Sequence, residues 1–120
     1  MADDLATVLD MVLACRRIGR FVSGIDEAAF LAAEEKHWAE VSQLSIIGES
    51  VRRLSTDFRD ARPHVPWRQI AGMRDRLIHA YDKINWSLVW LTATQEVPQL
   101  LTELEPLVPR PDDNPASQKP

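Results

Sequence analysis

Cysteine is nearly absent from this chain: Cys15 stands alone, so no internal disulfide can form. It falls on an apolar stripe and reads as a small buried hydrophobe rather than a nucleophile. Long apolar runs are missing as well. None approaches the roughly 20 residues that cross a bilayer, and the acidic start Met1-Ala-Asp-Asp4 is unlike a signal peptide. A cytoplasmic setting without membrane attachment is therefore expected. Histidine is scarce, and His37, His64 and His79 show no ligand spacing with cysteines or carboxylates. Neither a metal nor another cofactor is expected from that pattern. No segment alternates with period two, which argues against any sheet.

What the chain does have is helical periodicity and an uneven charge. Its 120 residues suit one domain. The net charge of −4 argues mildly against a general nucleic-acid binder. The distribution argues otherwise, because Arg52, Arg53, Arg59, Arg62, Arg68, Arg74 and Arg76 face only Asp57, Asp60 and Asp75 in the same stretch. Those seven are half of the 14 Lys and Arg, in about a fifth of the chain. A patch of this kind can engage a polyanion although the whole molecule is acidic. A solvated face paired with acidic helices is the bland alternative, and composition leaves both open.

Spacings of three and four predict a first helix over residues 3–22, with Leu5, Val8, Val12, Cys15, Gly19 and Val22 inward, ended by Ser23-Gly24. Asp26 suits the cap of the next segment, a short lead-in and then a long helix to about Phe58 on a stripe of Leu44, Ile47, Val51, Leu54 and Phe58. Gly48 inside that helix costs about 1 kcal/mol relative to alanine and predicts a close helix–helix approach. Pro66 suits the first turn of a third helix reaching about Tyr81, with Ile70, Met73, Leu77, Ala80 and Ile84 inward. Asn85 can cap a fourth helix that buries Trp86, Trp90, Ala93, Val97, Leu100 and Leu104 and is kinked or restarted at Pro98. Residues 106–120 hold five of the eight prolines and no core pattern, which predicts a disordered tail. The fold expected is all-α: an antiparallel bundle of four to five helices over residues 1–105.

Chemistry concentrates in Met73-Arg-Asp-Arg-Leu-Ile-His-Ala-Tyr81. Arginine is a permanent cation able to hold phosphate in bidentate fashion, and histidine trades protons near neutrality. With the hydroxyl of Tyr81, these groups suit work on a phosphodiester. On an ideal helix Arg74 and His79 are separated by about 140° and about 7.5 Å of rise, whereas Asp75 lies one turn before His79. A shared site then needs a bent arginine, a distorted helix end or a second copy of the helix. Ile78 lies outside the core stripe and favours the second copy: a two-fold dimer would bury it and gather two arginines and two histidines in one cleft. From spacing alone, the same residues also read as solvated, Tyr81 as a core-edge aromatic, and Asp75 as a partner for a nearby arginine.

The run Trp67-Arg-Gln-Ile-Ala-Gly-Met-Arg-Asp-Arg-Leu-Ile-His-Ala-Tyr81 resembles the signature of the HepT-like proteins of the HEPN superfamily. Ser45-Ile-Ile-Gly-Glu-Ser50, Arg52-Arg-Leu54, Val89-Trp90 and Val97-Pro-Gln-Leu100 are similar to family features in the same order, so the resemblance covers roughly residues 3–104. It implies a HEPN-like helical bundle that dimerises. Many such proteins are metal-independent ribonucleases acting as toxins beside a minimal nucleotidyltransferase antitoxin. By the resemblance, Arg74 and His79 match the catalytic pair and Asp75 the polar position after the arginine. Tyr81 matches the tyrosine that the antitoxin adenylylates. Asp82 departs from the pattern, standing where an aromatic residue is common. Arg68, Arg76 and Glu49 are further candidates for contact with RNA, Glu49 alternatively balancing Arg52 or Arg53 along its own helix. A function of another class is a non-catalytic helical module that binds a nucleotide or stabilises a nucleotidyltransferase, with the cluster gripping phosphate.

Overall fold

The computed structural model describes residues 2–77 and 83–109; Ile78, His79, Ala80, Tyr81 and Asp82, and the chain from residue 110, lie outside the described residues. The first helix, α1, spans Ala2–Val22. It buries Val8, Met11, Val12, Ala14, Cys15 and Ile18. This corrects the expected stripe, since Leu5 is 57% exposed and Gly19 lies at the surface. Two apolar registers compete on this helix, and the one built on Val8, Met11, Cys15 and Ile18 faces the core, leaving Leu5, Leu9 and Leu13 on the outer side. Gly24, at φ 75°, turns the chain after α1. Helix α2 (Glu27–Ala32) then starts on Asp26, whose carboxylate accepts from the Ala29 N–H at 2.8 Å.

Helix α3 (Glu34–Arg53) runs antiparallel to α1, as the Arg17–Gln43 and Asp10–Arg53 contacts at 3.4 and 3.9 Å show. It was expected to continue to Phe58 but stops at Leu54, where the backbone is extended. The reason lies in Ser55. Its N–H and hydroxyl both donate to Asp4, at 2.9 and 2.6 Å, while the hydroxyl oxygen accepts from the Phe58 N–H and opens α4 (Thr56–Asp60). A continuous helix would have spent that N–H on its own preceding turn.

The third rod differs from the single helix expected. It consists of α5 (Trp67–Ala71) and α6 (Met73–Leu77) with Gly72 between them. Gly72 still donates to the Arg68 carbonyl at 3.1 Å and accepts from the Arg76 N–H at 3.0 Å, so the two pieces run on as one bent rod. Gly48 makes the close approach that its sequence position foretold. A methyl group there would lie 3.2 Å from the Ile70 carbonyl oxygen and 3.3 Å from that of Ala71.

Asn85 caps α7 (Trp86–Leu91), its side chain accepting from the Leu88 N–H at 3.1 Å. A π-helical turn over Thr92–Glu96 leads into α8 (Val97–Leu104) and a 3₁₀ turn at Glu105–Leu107. The wider register absorbs Pro98, which has no N–H and would crowd the carbonyl four residues earlier in an ordinary helix. This rod buries Val89, Ala93, Val97, Leu100 and Leu104, whereas Trp86 and Trp90 are only half-buried. Both tryptophans join an aromatic cluster: His37 stacks on Trp86 at 4.1 Å, and Phe30 lies 5.4 Å from Trp90. Val108 is buried and Leu107 packs on the core.

The protein is thus an all-α bundle of four main rods, α1, α3, α5–α6 and α7–α8, in shorter pieces than periodicity suggested. The described residues contain no strand and no helix long and apolar enough to cross a membrane.

Candidate functional site

Arg74 and Asp75 project from α6 into solvent, anchored by the buried neighbours Met73 and Leu77. Burying those two apolar residues against the bundle fixes which side of the bent rod faces outward. Arg68 and Glu49 are exposed as well. The expected catalytic partner His79 and the tyrosine Tyr81 lie outside the described residues, as does Ile78.

Arg76 goes elsewhere. Its guanidinium meets both carboxylate oxygens of Glu96 at 3.1 Å, and Thr92 donates to the same carboxylate. Together with the His64–Glu103 pair at 2.7 Å, this contact sets α5–α6 antiparallel to α8. Glu96, Glu103, Gln69 and Met73 line a hollow of about 250 Å³ between these rods. Arg76 therefore belongs to an ion pair that braces the bundle, and it is not grouped with Arg68.

A wider hollow of about 620 Å³ opens between α4 and α5, lined by Thr56, Arg59, Asp60, Trp67, Arg68 and Ala71. Trp67 forms its inner wall. The indole N–H is shared between the carbonyls of Arg59 and Arg62 at 3.1 Å each, so α4 is clamped to the start of α5. Arg62 leaves the hollow to lie 3.9 Å over the Phe58 ring and to donate to the Phe58 carbonyl. Arg52 reaches across from α3 to the Ala71 carbonyl at 3.5 Å. Arg74 stands one helical turn beyond Ala71, about 4.5 Å further along the rod.

The arginines sort by their partners. Arg16, Arg53 and Arg76 contact Glu105, Asp10 and Glu96. Arg17, Arg20, Arg52, Arg59, Arg62, Arg68 and Arg74 make no ion pair among the described residues, and the Nε atoms of Arg59 and Arg76 are buried without a hydrogen-bond partner. Arg52 and Arg53 are thus engaged away from Glu49, which is not balanced by either of them.

Two buried groups bear on the chemistry. Burial pushes the Cys15 thiol up to about 12, which removes it as a nucleophile. Glu40 on α3 is fully buried with neither carboxylate oxygen hydrogen-bonded, and desolvation, opposed by Lys36, raises its pKa to about 7. The sequence carried a signal for it. Glu40 stands four residues before Leu44 and so continues the stripe of Leu44, Ile47 and Val51. His37, three residues earlier, is also buried, its ring nitrogen paired with the Phe30 carbonyl at 2.9 Å. Among the described residues no three His, Cys, Asp or Glu side chains gather as a metal site.

The family model described as "Ribonuclease HepT-like" matches residues 11–107. A protein of Thermococcus cleftensis named "Probable ribonuclease HepT" is 35% identical over 98 residues, covering 82% of this chain and 89% of that one. "Putative RNase MJ0125" of Methanocaldococcus jannaschii is 33% identical over 106 residues, covering 88% and 91%. "Putative RNase TTE0752" of Caldanaerobacter subterraneus is 37% identical over 94 residues, covering 78% and 84%. No solved structure matches the chain.

Proposed function

The chain belongs to the ribonuclease HepT-like family, within the HEPN superfamily, and on that premise we propose that it is an endoribonuclease using Arg74 and His79. The observation that carries this reading is the setting of Arg74. It is exposed, free of any ion pair among the described residues, and follows by one helical turn Ala71, which lines a hollow together with Arg59 and Arg68. A cation left available in an acidic protein is suited to a phosphate brought from outside.

RNA carries its own nucleophile. The 2′-hydroxyl attacks the adjacent phosphorus, the bond to the 5′-oxygen breaks, and a 2′,3′-cyclic phosphate and a free 5′-hydroxyl result. The step needs a proton acceptor, a proton donor and a cation for charge on the phosphorane. His79 serves proton transfer, help typically worth about 10²–10⁴-fold, and Arg74 stabilises the developing negative charge. Asp75 supports the imidazole. None of these roles calls for a metal.

A two-fold dimer completes the site by supplying a second histidine for the second proton role. In the cell the enzyme acts as a toxin held in check by a minimal nucleotidyltransferase antitoxin. Adenylylation of Tyr81, seven residues after Arg74 in the sequence, adds bulk and negative charge that block the cleft and compete for the cation.

Purified protein incubated with RNA in the presence of EDTA tests the reading. Cleavage by the wild type and its loss in His79→Ala are expected. Full cleavage by that variant removes His79 from the mechanism.

A further inference from the structure

We infer that the hollow between α4 and α5 is a second, non-catalytic phosphate subsite that holds the RNA backbone beside the cleavage point. The inference rests on the ribonuclease reading for its ligand and adds residues that the motif does not contain. Arg59 and Arg68 line the hollow, Arg52 stands at its edge, and Asp60 is the one carboxylate on its wall. Three cations against one anion leave a net positive surface on a chain whose net charge is −4.

Elsewhere in the bundle Arg16, Arg53 and Arg76 contact carboxylates while Arg17 and Arg20 have no ion pair among the described residues, so what sets the hollow apart is the gathering of its cations around one space. The Arg59 Nε is held out of solvent without a hydrogen-bond partner, as is that of Arg76, so a phosphate meets the outer end of the Arg59 guanidinium. The guanidinium fork matches phosphate geometry. Trp67 is 9% exposed and its N–H is already used twice, so the hollow offers no aromatic face for a base to stack on. The subsite therefore contributes affinity without sequence choice, as contacts to phosphate do. Ala71 on the wall and Arg74 one turn on make the subsite continuous with the catalytic arginine.

The test is equilibrium binding of a non-cleavable 2′-O-methyl RNA of about twelve nucleotides across a salt titration. Wild type is compared with the Arg52→Ala, Arg59→Ala, Arg68→Ala triple variant. Three lost phosphate contacts flatten the slope of log K against log salt by about 2 and weaken low-salt affinity at least roughly tenfold, equally for two unrelated sequences. The preference in kcat/KM for a twelve-mer over a dinucleotide shrinks in parallel. Should the triple variant fail to fold, Arg59→Gln and Arg68→Gln carry the test singly, each flattening the slope by about 0.7.

An unchanged slope and affinity overturn the subsite. So does unchanged RNA affinity accompanied by lost binding of polyglutamate, which reassigns the hollow to an acidic protein. A wild type that cleaves no RNA but loses strand binding in the variant keeps the subsite and sinks the nuclease reading.

Discussion

Asp4 receives both the N–H and the hydroxyl of Ser55 across 51 residues of sequence, at 2.9 and 2.6 Å. This pair ends α3 and starts α4, and α4 carries Thr56 and Arg59 to the wall of the arginine hollow. A contact between the first turn of the chain and its middle thereby positions part of the candidate RNA surface. Ser55→Ala removes the N-cap and the hydroxyl bond to Asp4 together and is expected to destabilise the fold by about 1–2 kcal/mol. Urea unfolding measures it, and a double-mutant cycle with Asp4→Asn is expected to show coupling between the two positions. The same hydrogen bonds hold the Asp4 carboxyl below its ordinary pKa, so their stabilisation is lost as the pH falls through that lowered value.

Glu40 imposes the opposite slope at higher pH. Its folded pKa of about 7 lies above the ordinary carboxylate value of 4.5, so the folded state keeps a proton that the unfolded state releases. Stability is therefore greatest below about pH 4.5 on this account and declines as the pH rises towards and through 7, by up to about 3 kcal/mol in all. Glu40→Gln abolishes that decline and stabilises the protein at pH 8. Thermal melts of both proteins from pH 5 to pH 8 check the sign.

Two helical glycines are expected to respond in opposite directions. A Cβ at Gly19 meets nothing within 4 Å, so Gly19→Ala stabilises α1 by about 0.5–1 kcal/mol through backbone propensity. At Gly48 a Cβ would press on two carbonyl oxygens of α5, and Gly48→Leu forces that helix away at a cost of about 1–3 kcal/mol. Paired denaturant midpoints for the two variants decide this.

Cys15 is buried with its thiol pushed up to about 12. At pH 8 a disulfide reagent is expected to leave the native protein unmodified and to label one thiol per chain once it is unfolded in guanidinium. Rapid labelling of the native protein contradicts the packing of α1.

Much of this was legible in the sequence. Asp26 and Asn85 were readable as caps because a short polar side chain before an apolar periodic run has one economical use. Gly48 was readable as a close approach, and Cys15 as a core residue. The breaks were harder to see. The α3–α4 break depends on Asp4, and a contact 51 residues away leaves no trace in local periodicity. The bend at Gly72 lay in a segment whose apolar spacing fits one helix. On α1 two apolar registers were available, and only packing against α3 and α8 decides that Leu5 stays outside. At the candidate site, the motif pointed to Arg74, but spacing could not separate Arg76 from Arg68. That distinction depends on Glu96, which belongs to another rod. The hollow at Arg59 likewise arises from two short helices meeting through Trp67.

The most direct test of the account uses a DNA strand carrying one ribonucleotide. The wild-type protein is expected to cut only at the 3′ side of that ribose, leaving a 2′,3′-cyclic phosphate, and Arg74→Ala to cut about 10²–10³-fold more slowly. Equal cutting of an all-DNA strand, or an Arg74→Ala variant at full rate, contradicts it.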